Sequence, residues 1–362
     1  MLLKALKALR GGGPRNMRQF IHTYNNIITV EKLLKAWQEF LRDKKKRSDV
    51  ILFQAKLIDN IFDLYNDLKN RTYKHSGYKA FNISDPKPRR IHKATVRDRL
   101  FHHLIYQELY DYFDNKFIYD SYSCRKNKGT HKAIYGFENF IRKASKNNNK
   151  TCWILKCDIK KFFASINHGI LKDILAKHIQ DKNILWLLGQ IIDSFNANAH
   201  LRYSVDVQNN TNSVMTENVS FKGLPLGNLT SQLLVNIYMN EFDQFAKRRL
   251  KVKYYIRYAD DFVILSGNKE YLKNILEQIK EFLENNLKLN LHPDKVFIKT
   301  IVSGVDFLGW VHFPKHRVLR TSTKRKMIKN LKNCKKLETV NSYIGLLKHG
   351  NTYKIKKSLK ML

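Results

Sequence analysis

The feature that most constrains the fold of this chain is a pair of adjacent aspartates, Asp260 and Asp261, between two hydrophobic runs. The runs Val252–Arg257 and Phe262–Leu265 have the composition of β-strands, and their close spacing predicts a tight hairpin. Neighbouring carboxylates repel each other and are costly near a core unless something neutralises them. A divalent cation is the simplest neutralising group, and a tight turn holds carboxylates rigidly at a sheet edge. The alternative is a surface turn in which both aspartates are solvated.

A third carboxylate, Asp158, ends another short hydrophobic run, Trp153–Cys157, which also predicts a strand. An aspartate at a strand end is often the cap of a following helix, and this alternative stays open. Three carboxylates from two strands also suffice for two-metal phosphoryl transfer, in which two Mg²⁺ ions about 3.5–4 Å apart activate an attacking hydroxyl and stabilise the leaving oxygen. The pattern therefore predicts that Asp158, Asp260 and Asp261 hold two Mg²⁺ ions, for which Mn²⁺ can substitute.

The charge balance indicates a nucleic-acid partner. Lys and Arg total 67 against 31 Asp and Glu, which gives a formal net charge of +36. Neutralisation of phosphates dominates the affinity of proteins for nucleic acid, so RNA or DNA is the natural compensating polyanion. The alternative is a basic surface kept for solubility. No apolar run approaches the ~20 residues that span a bilayer, and the four cysteines show no disulfide or metal spacing. We therefore expect a cytoplasmic, nucleic-acid-associated protein that does not enter a membrane.

With these features in view, the sequence resembles reverse transcriptases. The segment Tyr258–Asp261 looks like their YxDD box, and Asp158 with the Phe-Phe pair that follows it looks like their first palm motif. The resemblance implies an RNA-directed DNA polymerase with an α+β right-hand polymerase fold, an N-terminal helical extension and an antiparallel palm sheet. It also implies that Asp158 and Asp260 ligate both metal ions, that Asp261 assists, and that Ile159 belongs to the metal site.

The resemblance covers residues 72–353, roughly, and implies a division into subdomains. We expect a leader and helical extension over 1–72, fingers over 73–150, a palm with the remaining fingers elements over 151–310, and a basic helical thumb over 311–362. From Lys315 onward the chain has 15 Lys or Arg and one acid, Glu338. A thumb of this charge would hold a template–primer duplex by its backbone.

Four residues resemble the nucleotide-binding positions of the family. Phe163, five residues after Asp158, resembles the aromatic that blocks a ribose 2′-hydroxyl, and the alternative is an ordinary core aromatic. Lys87 and Arg89 resemble the fingers pair that grips the triphosphate, and the alternative is a basic RNA-binding surface. Lys295 resembles a palm lysine that can act as general acid toward the pyrophosphate, with a solvated lysine as the alternative.

The decapeptide 223–232 (GLPLGNLTSQ) precedes an amphipathic run and carries the most specific variant motif. Glycines before a helix let backbone amides approach a nucleotide or template closely. Leu226 stands where most reverse transcriptases have Gln, and Gln232 where they have Pro. We expect Gly227 and Gln232 to contact the nucleotide. We expect template or primer contacts from the following residues: Arg125, Lys128, Leu226, Asn228, Gly309 and Trp310.

This variant decapeptide, together with the basic stretch 120–133, resembles the reverse transcriptases of diversity-generating retroelements. That resemblance implies an error-prone enzyme, encoded by a bacterium, an archaeon or a phage. It implies four kinds of partner: an RNA template, a DNA or RNA primer, dNTPs, and a small basic helical accessory protein, either monomeric or oligomeric. The alternatives are an antiphage defence enzyme, a group II intron-like or retron-like reverse transcriptase, and a non-catalytic RNA-binding protein on a polymerase fold.

Overall fold

A four-stranded antiparallel sheet organises the part of the chain that carries the three aspartates. The computed structural model describes residues 19–84, 88–197, 221–333 and 337–359. By backbone contacts the chain forms two units. Unit 1 contains the described residues up to 116 and from 167 to 234, and unit 2 contains 117–166 and those from 235 onward. The predicted boundaries of fingers, palm and thumb are a different division and stay a prediction.

Unit 1 is mainly helical, with one β-hairpin. Its elements, in chain order, are α1 Tyr24–Ile27, α2 Val30–Phe40, α3 Ser48–Ala55, α4 Leu57–Lys69, β1 Lys79–Ile83, β2 Arg89–Lys93, α5 Val96–Asp114, then α8 His168–Ala176, α9 Lys182–Asp193 and the start of α10 Leu229–Gln244. Apolar residues at helical spacing predict two helices in this region, and they are present as α2 and α4. Thr29 caps α2, because its side chain accepts a hydrogen bond from the Lys32 amide. Helix α3 was not predicted.

Unit 2 contains two sheets flanked by helices. Its elements, in chain order, are α6 Thr130–Ala144, β3 Trp153–Asp158, α7 Phe162–Ser165, β4 Tyr254–Tyr258, β5 Asp261–Ser266, α11 Lys269–Leu287, β6 Phe297–Thr300, β7 Val305–Phe307, β8 Trp310–His312, β9 Arg317–Leu319, α12 Thr321–Asn333, α13 Leu337–Leu347 and α14 Tyr353–Leu359. The four-stranded sheet has the order β4-β5-β3-β6, and the three-stranded sheet has the order β7-β8-β9.

The core of unit 2 explains why the central strands form where they do. Strands β3 and β5 are buried at their four middle positions, as expected for hydrophobic strands covered on both faces. Helix α11 packs against both strands, and its buried residues Leu272, Ile275, Ile279 and Leu283 recur at helical spacing. Helix α6 packs on β4. The strand ends are thereby fixed, and the aspartates at those ends are fixed with them.

None of the described helices combines the length and the apolar character needed to cross a bilayer. The sequence NNTNS at 209–213 predicts a surface turn, and this segment lies outside the described residues.

Candidate functional site

Sheet register brings the predicted aspartates to one edge of unit 2. Asp158, the last residue of β3, lies directly opposite Asp261, the first residue of β5. Asp260 lies in the turn between β4 and β5, and its carbonyl accepts a hydrogen bond of 3.2 Å from the Ile159 amide. The N-cap of the short helix α7 is Lys161, so the capping alternative for Asp158 does not apply. The hairpin and the third carboxylate therefore lie together, as the sequence predicted.

Two lysines hold two of these carboxylates. Lys295 Nζ lies 2.9 Å from Asp158 Oδ1, and Lys156 Nζ lies 3.2 Å from Asp261 Oδ2. The Lys156 side chain is largely buried and also donates a 2.8 Å hydrogen bond to the Asp306 carbonyl. A buried ammonium with two oxygen partners is a strong local positive charge, because little water screens it. The arrangement partly neutralises a cluster of carboxylates that would otherwise repel one another.

The Asp261 carboxyl group has a strongly shifted pKa. The pKa of Asp261 is raised to about 6, and burial is the largest cause. The nearby Asp158 and Asp260 carboxylates also raise this pKa, whereas Lys156 lowers it. Its Oδ1 atom is buried and has no hydrogen-bond partner among the described residues. A buried carboxylate oxygen without a donor is a group that a cation would stabilise.

This shift makes the stability of the metal-free protein depend on pH. The folded protein holds the Asp261 proton more tightly than the unfolded chain, so the contribution of this group to the free energy of unfolding falls as pH rises from the ordinary value of 3.8 to about 6. We expect a decrease of about 3 kcal/mol from this group. In Asp261→Asn this pH-dependent contribution to the free energy of unfolding should disappear. Urea unfolding in EDTA from pH 4 to 7 measures it, and exposed Asp294→Asn should keep the wild-type profile. Identical profiles for all three proteins would contradict the assignment.

The donor set fits hard divalent cations. The part of the chain that the structure describes contains no preassembled group of three His, Cys, Asp or Glu side chains around a metal position. The opposed Asp158 and Asp261, the adjacent Asp260 and the orphaned Asp261 oxygen nevertheless supply carboxylate oxygens at one sheet edge. Mg²⁺ takes a few carboxylates together with water and substrate phosphates rather than a full protein cage. These residues are therefore suited to Mg²⁺ or a similar ion.

A fully buried ion pair lies directly behind the aspartate turn. The Arg257 and Asp243 side chains are both 0% exposed, and Arg257 donates to both Asp243 carboxylate oxygens, from Nε at 2.8 Å and from Nη2 at 2.6 Å. Arg257 also donates to Asn236 Oδ1 and to Ser121 Oγ, and the Tyr255 hydroxyl donates to Asp243. Each polar atom of the pair thus has partners, which a buried charge requires.

The same guanidinium supports the turn that carries Asp260. Arg257 Nη1 donates a 3.1 Å hydrogen bond to the carbonyl of Ala259, the residue immediately before Asp260. Ala259 has a φ of 57°, in the left-handed region that non-glycine residues rarely adopt. A residue in this region persists only where its surroundings hold it. The Arg257 bond is one such restraint, so Arg257 positions the aspartate turn from within the core.

The remaining predicted residues of this edge have clear positions. Phe163 is half-buried in α7, whereas the neighbouring Phe162 is buried and meets it edge to face, with ring centroids 5.6 Å apart. The core aromatic is therefore Phe162, and Phe163 keeps an accessible face. Ile159 is buried, and its backbone is paired with the Asp260 turn.

The predicted residues of unit 1 form a separate group around the decapeptide. Gly227 has a φ of 105°, and a Cβ there would lie 2.7 Å from Ile91, so this turn packs tightly against β2. Asn228 donates to the His92 carbonyl at 3.0 Å, and the Leu226 carbonyl accepts from the His92 amide at 2.9 Å. Arg89 is exposed at the start of β2. Lys87 lies outside the described residues.

The predicted template and primer residues of unit 2 have structural partners. Arg125 donates to the carbonyls of Ile118 and Ser121, and Lys128 donates to the Tyr119 carbonyl, so both help to fix the basic loop before α6. Gly309, with a φ of 86°, turns the chain between β7 and β8. Trp310 is 2% exposed, and its indole packs in the hydrophobic cluster beneath the C-terminal helices, so the side chain contributes to packing.

Sequence reasoning missed Lys156, Arg257 and Asp243. Lys156 and Arg257 are charged residues in hydrophobic strands, and Asp243 is a charged residue in helix α10. Their exposures are 8%, 0% and 0%, respectively. That contrast was a usable signal, because a charge in a buried strand or helix needs a partner of opposite sign. The partner itself could not be identified without the fold.

Comparison with known sequences identifies the family to which the chain is similar. A family described as reverse transcriptase (RNA-dependent DNA polymerase) matches residues 79–312. The putative COX1/OXI3 intron 2 protein of Saccharomyces cerevisiae is 24% identical over 344 residues, covering 78% of this chain and 38% of that protein. Protein YkfC of Escherichia coli is 25% identical over 303 residues, covering 74% of each. The group II intron-encoded protein LtrA of Lactococcus lactis subsp. cremoris is 24% identical over 362 residues, covering 80% of this chain and 56% of that protein.

The chain thus spans less than two thirds of the length of the yeast and Lactococcus relatives. Among solved structures, apo telomerase from Candida tropicalis truncated from its C-terminal domain is similar at a TM-score of 0.47 and 13% identity, covering 73% of this chain and 60% of that chain.

Proposed function

This chain belongs to the reverse transcriptase family, and we propose that it extends a nucleic-acid primer by copying an RNA template into DNA. Family membership confirms the right-hand polymerase fold and the class of enzyme expected from the sequence. The observation that carries the proposal for this chain is the register that sets Asp158 opposite Asp261, with Asp260 in the adjoining turn.

Reverse transcriptases use divalent metal ions, and here we propose two Mg²⁺ ions, with Mn²⁺ as a substitute. Asp158 and Asp260 would hold the ions, Asp261 would assist, and Ile159 could contribute only its backbone carbonyl. When bound, such ions activate a primer 3′-hydroxyl and stabilise the leaving oxygen of the nucleotide. The residues themselves supply charge and rigid placement at the sheet edge, which is how a site of this kind lowers a barrier.

Lys295 and Arg89 have the chemistry for the triphosphate of the incoming nucleotide. Lys295 Nζ, 2.9 Å from Asp158 Oδ1, is a cation with exchangeable protons beside the carboxylate edge, and we assign it proton donation to the pyrophosphate leaving group. Arg89 is exposed on β2, and a guanidinium binds phosphate oxygens through two parallel hydrogen bonds. Lys87 is assigned the same task from the sequence resemblance.

Phe163 is proposed to exclude the ribose 2′-hydroxyl, because its ring keeps an accessible face five residues beyond Asp158, the last residue of β3. In Phe163→Val the excluded volume is smaller, so ribonucleotides should be inserted about 10–100-fold more often relative to deoxynucleotides, which corresponds to about 1–3 kcal/mol of discrimination. Single-nucleotide insertion rates with dNTP and rNTP measure this ratio.

Leu175→Val, which places the same residue at a buried position in α8, is the control for general effects of lost side-chain volume on the protein. If the ratio of ribonucleotide to deoxynucleotide insertion is the same in wild type and Phe163→Val, Phe163 is not the gate.

Primer extension tests the main proposal. A labelled DNA primer on a defined RNA template, with dNTPs and Mg²⁺, should be extended to the template end, and EDTA should stop the reaction. Binding of the same duplex is measured in parallel. Tight binding without any extension, on RNA and DNA templates alike, would favour the non-catalytic RNA-binding alternative.

The group II intron-encoded relatives favour a group II-like reverse transcriptase. Within that class we propose a finer role in a diversity-generating retroelement, and the support is the variant decapeptide with Leu226 and Gln232 at its two diagnostic positions. Sequencing cDNA made on one defined RNA tests this role. We expect frequent substitutions concentrated at template adenines. A low and uniform error profile would remove the finer role and leave the polymerase proposal intact.

The basic helical accessory protein, the RNA template with its primer, and the cytoplasmic location follow from the sequence resemblance, and they stay predictions. Neighbouring genes separate the biological alternatives: a template repeat beside a variable target gene supports diversification over antiphage defence.

A further inference from the structure

Two consecutive helices of unit 1, α3 and α4, carry a cluster of exposed apolar side chains. Ile51 and Leu52 on α3 are 53% and 74% exposed, and Ile58 and Phe62 on α4 are 57% and 47% exposed. Ile58 and Phe62 are four residues apart, so they lie on the same side of their helix. We call these four residues the elbow patch. Single exposed apolar residues are common on protein surfaces, but a group of this kind is typical of a protein–protein contact site.

The junction between the two helices is held from within. The Lys56 amide and the Asn60 side chain both donate a hydrogen bond to the Phe53 carbonyl, at 3.3 and 3.0 Å. The inner face of each helix is anchored in the core, since Val50 on α3 and Ile61 on α4 are buried. The elbow patch therefore has a defined shape before any partner binds, which lowers the entropy cost of binding one.

The charge around the elbow patch is opposite to that of the whole chain. Residues 48–69 contain four aspartates and two lysines, in a chain with a formal net charge of +36. Two of these aspartates pair with arginines of α5. The other two, Asp59 and Asp63, are exposed beside Ile58 and Phe62, and no ion pair within the described part of the chain joins either of them to a cation. Two carboxylates without a counter-charge thus adjoin the apolar surface.

These carboxylates determine which partner fits. Uncompensated carboxylates repel nucleic acid and anionic lipid, so the elbow patch suits neither. Two copies of this chain that met patch to patch across a two-fold axis would bring like-charged aspartates together. An apolar protein surface with Lys or Arg at its rim would instead bury the four side chains and pair with Asp59 and Asp63.

We propose that the elbow patch is the docking site of a separate protein, which presents an amphipathic helix with an apolar stripe flanked by lysine or arginine. The four apolar side chains contact the stripe, and Asp59 and Asp63 pair with the flanking cations. Helices that dock in this way use apolar residues at i, i+3, i+4 and i+7. The inference goes beyond the proposed function, because it requires neither RNA nor catalysis.

Two synthetic peptides test the partner chemistry. The first has about 18 residues, which is long enough to form a helix, with leucines at i, i+3, i+4 and i+7 and lysines beside them. The second has glutamate in place of every lysine. Fluorescence anisotropy of each labelled peptide with the full chain at about 0.15 M salt measures the affinity. Non-specific attraction to a chain of charge +36 would favour the glutamate peptide. We expect the lysine peptide to bind about tenfold more tightly or better.

A pair of apolar substitutions locates the binding site. Leu52→Ser/Phe62→Ser removes apolar surface from the elbow patch and should weaken binding of the lysine peptide about tenfold or more. The control, Leu337→Ser/Phe221→Ser, changes the same residue types at other positions, where the side chains are 70% and 46% exposed. It should alter the affinity by less than about twofold.

A charge reversal tests the rim and leaves the apolar surface intact. Asp59→Lys/Asp63→Lys should weaken binding of the lysine peptide about tenfold and strengthen binding of the glutamate peptide. Asp173→Lys/Asp294→Lys makes the same change in net charge at exposed positions elsewhere, and it should alter both affinities by less than about threefold. Thermal unfolding midpoints close to that of wild type confirm that the variants are folded, since every substituted side chain is exposed.

The outcomes separate the proposal from its rivals. Tighter binding of the glutamate peptide to the wild-type protein, or equal losses in the patch variants and their controls, would overturn it. A wild-type dimer that Leu52→Ser/Phe62→Ser dissociates in analytical ultracentrifugation would assign the patch to a second copy of this chain.

A rival occupant lies in this chain itself, because its first ten residues, MLLKALKALR, combine leucine with lysine and arginine. If Leu3→Ser/Leu6→Ser strengthens binding of the lysine peptide about tenfold, the patch belongs to that segment and the proposal of a separate protein is wrong. Peptide binding is measured without catalysis. An inactive enzyme that binds the lysine peptide at the elbow patch would therefore contradict the proposed function and not this site.

Discussion

Asp260→Asn is expected to lower the rate of primer extension by about 10³-fold or more while RNA binding stays within about twofold of wild type. Asparagine keeps the size of the side chain, but it has one neutral carbonyl oxygen and one NH2 group in place of two anionic oxygens. A hard divalent cation loses its main ligand by this change. Because Asp260 lies in a turn at the sheet edge and not in the core, the fold should be retained.

Extension under single-turnover conditions and anisotropy of the template–primer complex measure the two quantities. Asp294→Asn is the matched control, since it makes the same charge change in unit 2 at a side chain that is 87% exposed. It should extend primers at a rate close to wild type. Comparable extension by Asp260→Asn and wild type would disprove the assignment of the metal site. An equal loss of extension in Asp294→Asn would show that the effect comes from net charge.

Arg257→Met is expected to reduce the free energy of unfolding by about 3–5 kcal/mol. The substitution leaves the Asp243 carboxylate at 0% exposure without its partner, and a buried uncompensated charge is among the most destabilising single changes. Urea unfolding measures the loss. Arg248→Met, an exposed arginine a few residues earlier in the chain, should change stability by less than about 0.5 kcal/mol.

A second substitution distinguishes the buried charge from lost packing. In Arg257→Met/Asp243→Leu no buried charge remains, so much of the lost stability should return. If the two substitutions were independent packing defects, their losses in the free energy of unfolding would add instead. Primer extension should stay reduced in the double variant, because the hydrogen bond from Arg257 to the Ala259 carbonyl is absent from it. Full recovery of extension together with stability would show that Arg257 has no part in positioning the turn.

Much of the aspartate edge could be predicted because its signals are local. The hydrophobic runs at 153–157 and 262–265 are short and bounded by polar residues, and both proved to be central strands. Only four residues separate the two hydrophobic runs of the predicted hairpin, so the sequence also indicates that the side chains at the ends of the two strands lie next to each other. The helices α2, α4 and α11 are amphipathic, so their apolar residues recur at helical spacing in the sequence.

Other parts depend on contacts between distant segments. Lys156 pairs with Asp261 across the sheet and with the Asp306 carbonyl 150 residues away, and no spacing rule indicates such partners. Helix α3 was missed because its own hydrophobic residues are spread around the helix and do not recur on one face. A cavity in unit 1 is lined by separate segments between Phe40 and Gln232, so only the folded chain brings together its four cations, Lys44, Arg47, Lys93 and Arg99.

The alignment of Asp158 with Asp261 across β3 and β5 also limits how this protein can change in length. Side chains alternate between the two faces of a sheet, so adding or removing one residue within β3 would move Asp158 to the opposite face or break its pairing with β5. Insertions and deletions should therefore be tolerated in the connections and excluded from these two strands. Among natural variants of this chain, we expect insertions and deletions before Trp153 or after Asp158, and none between these two residues.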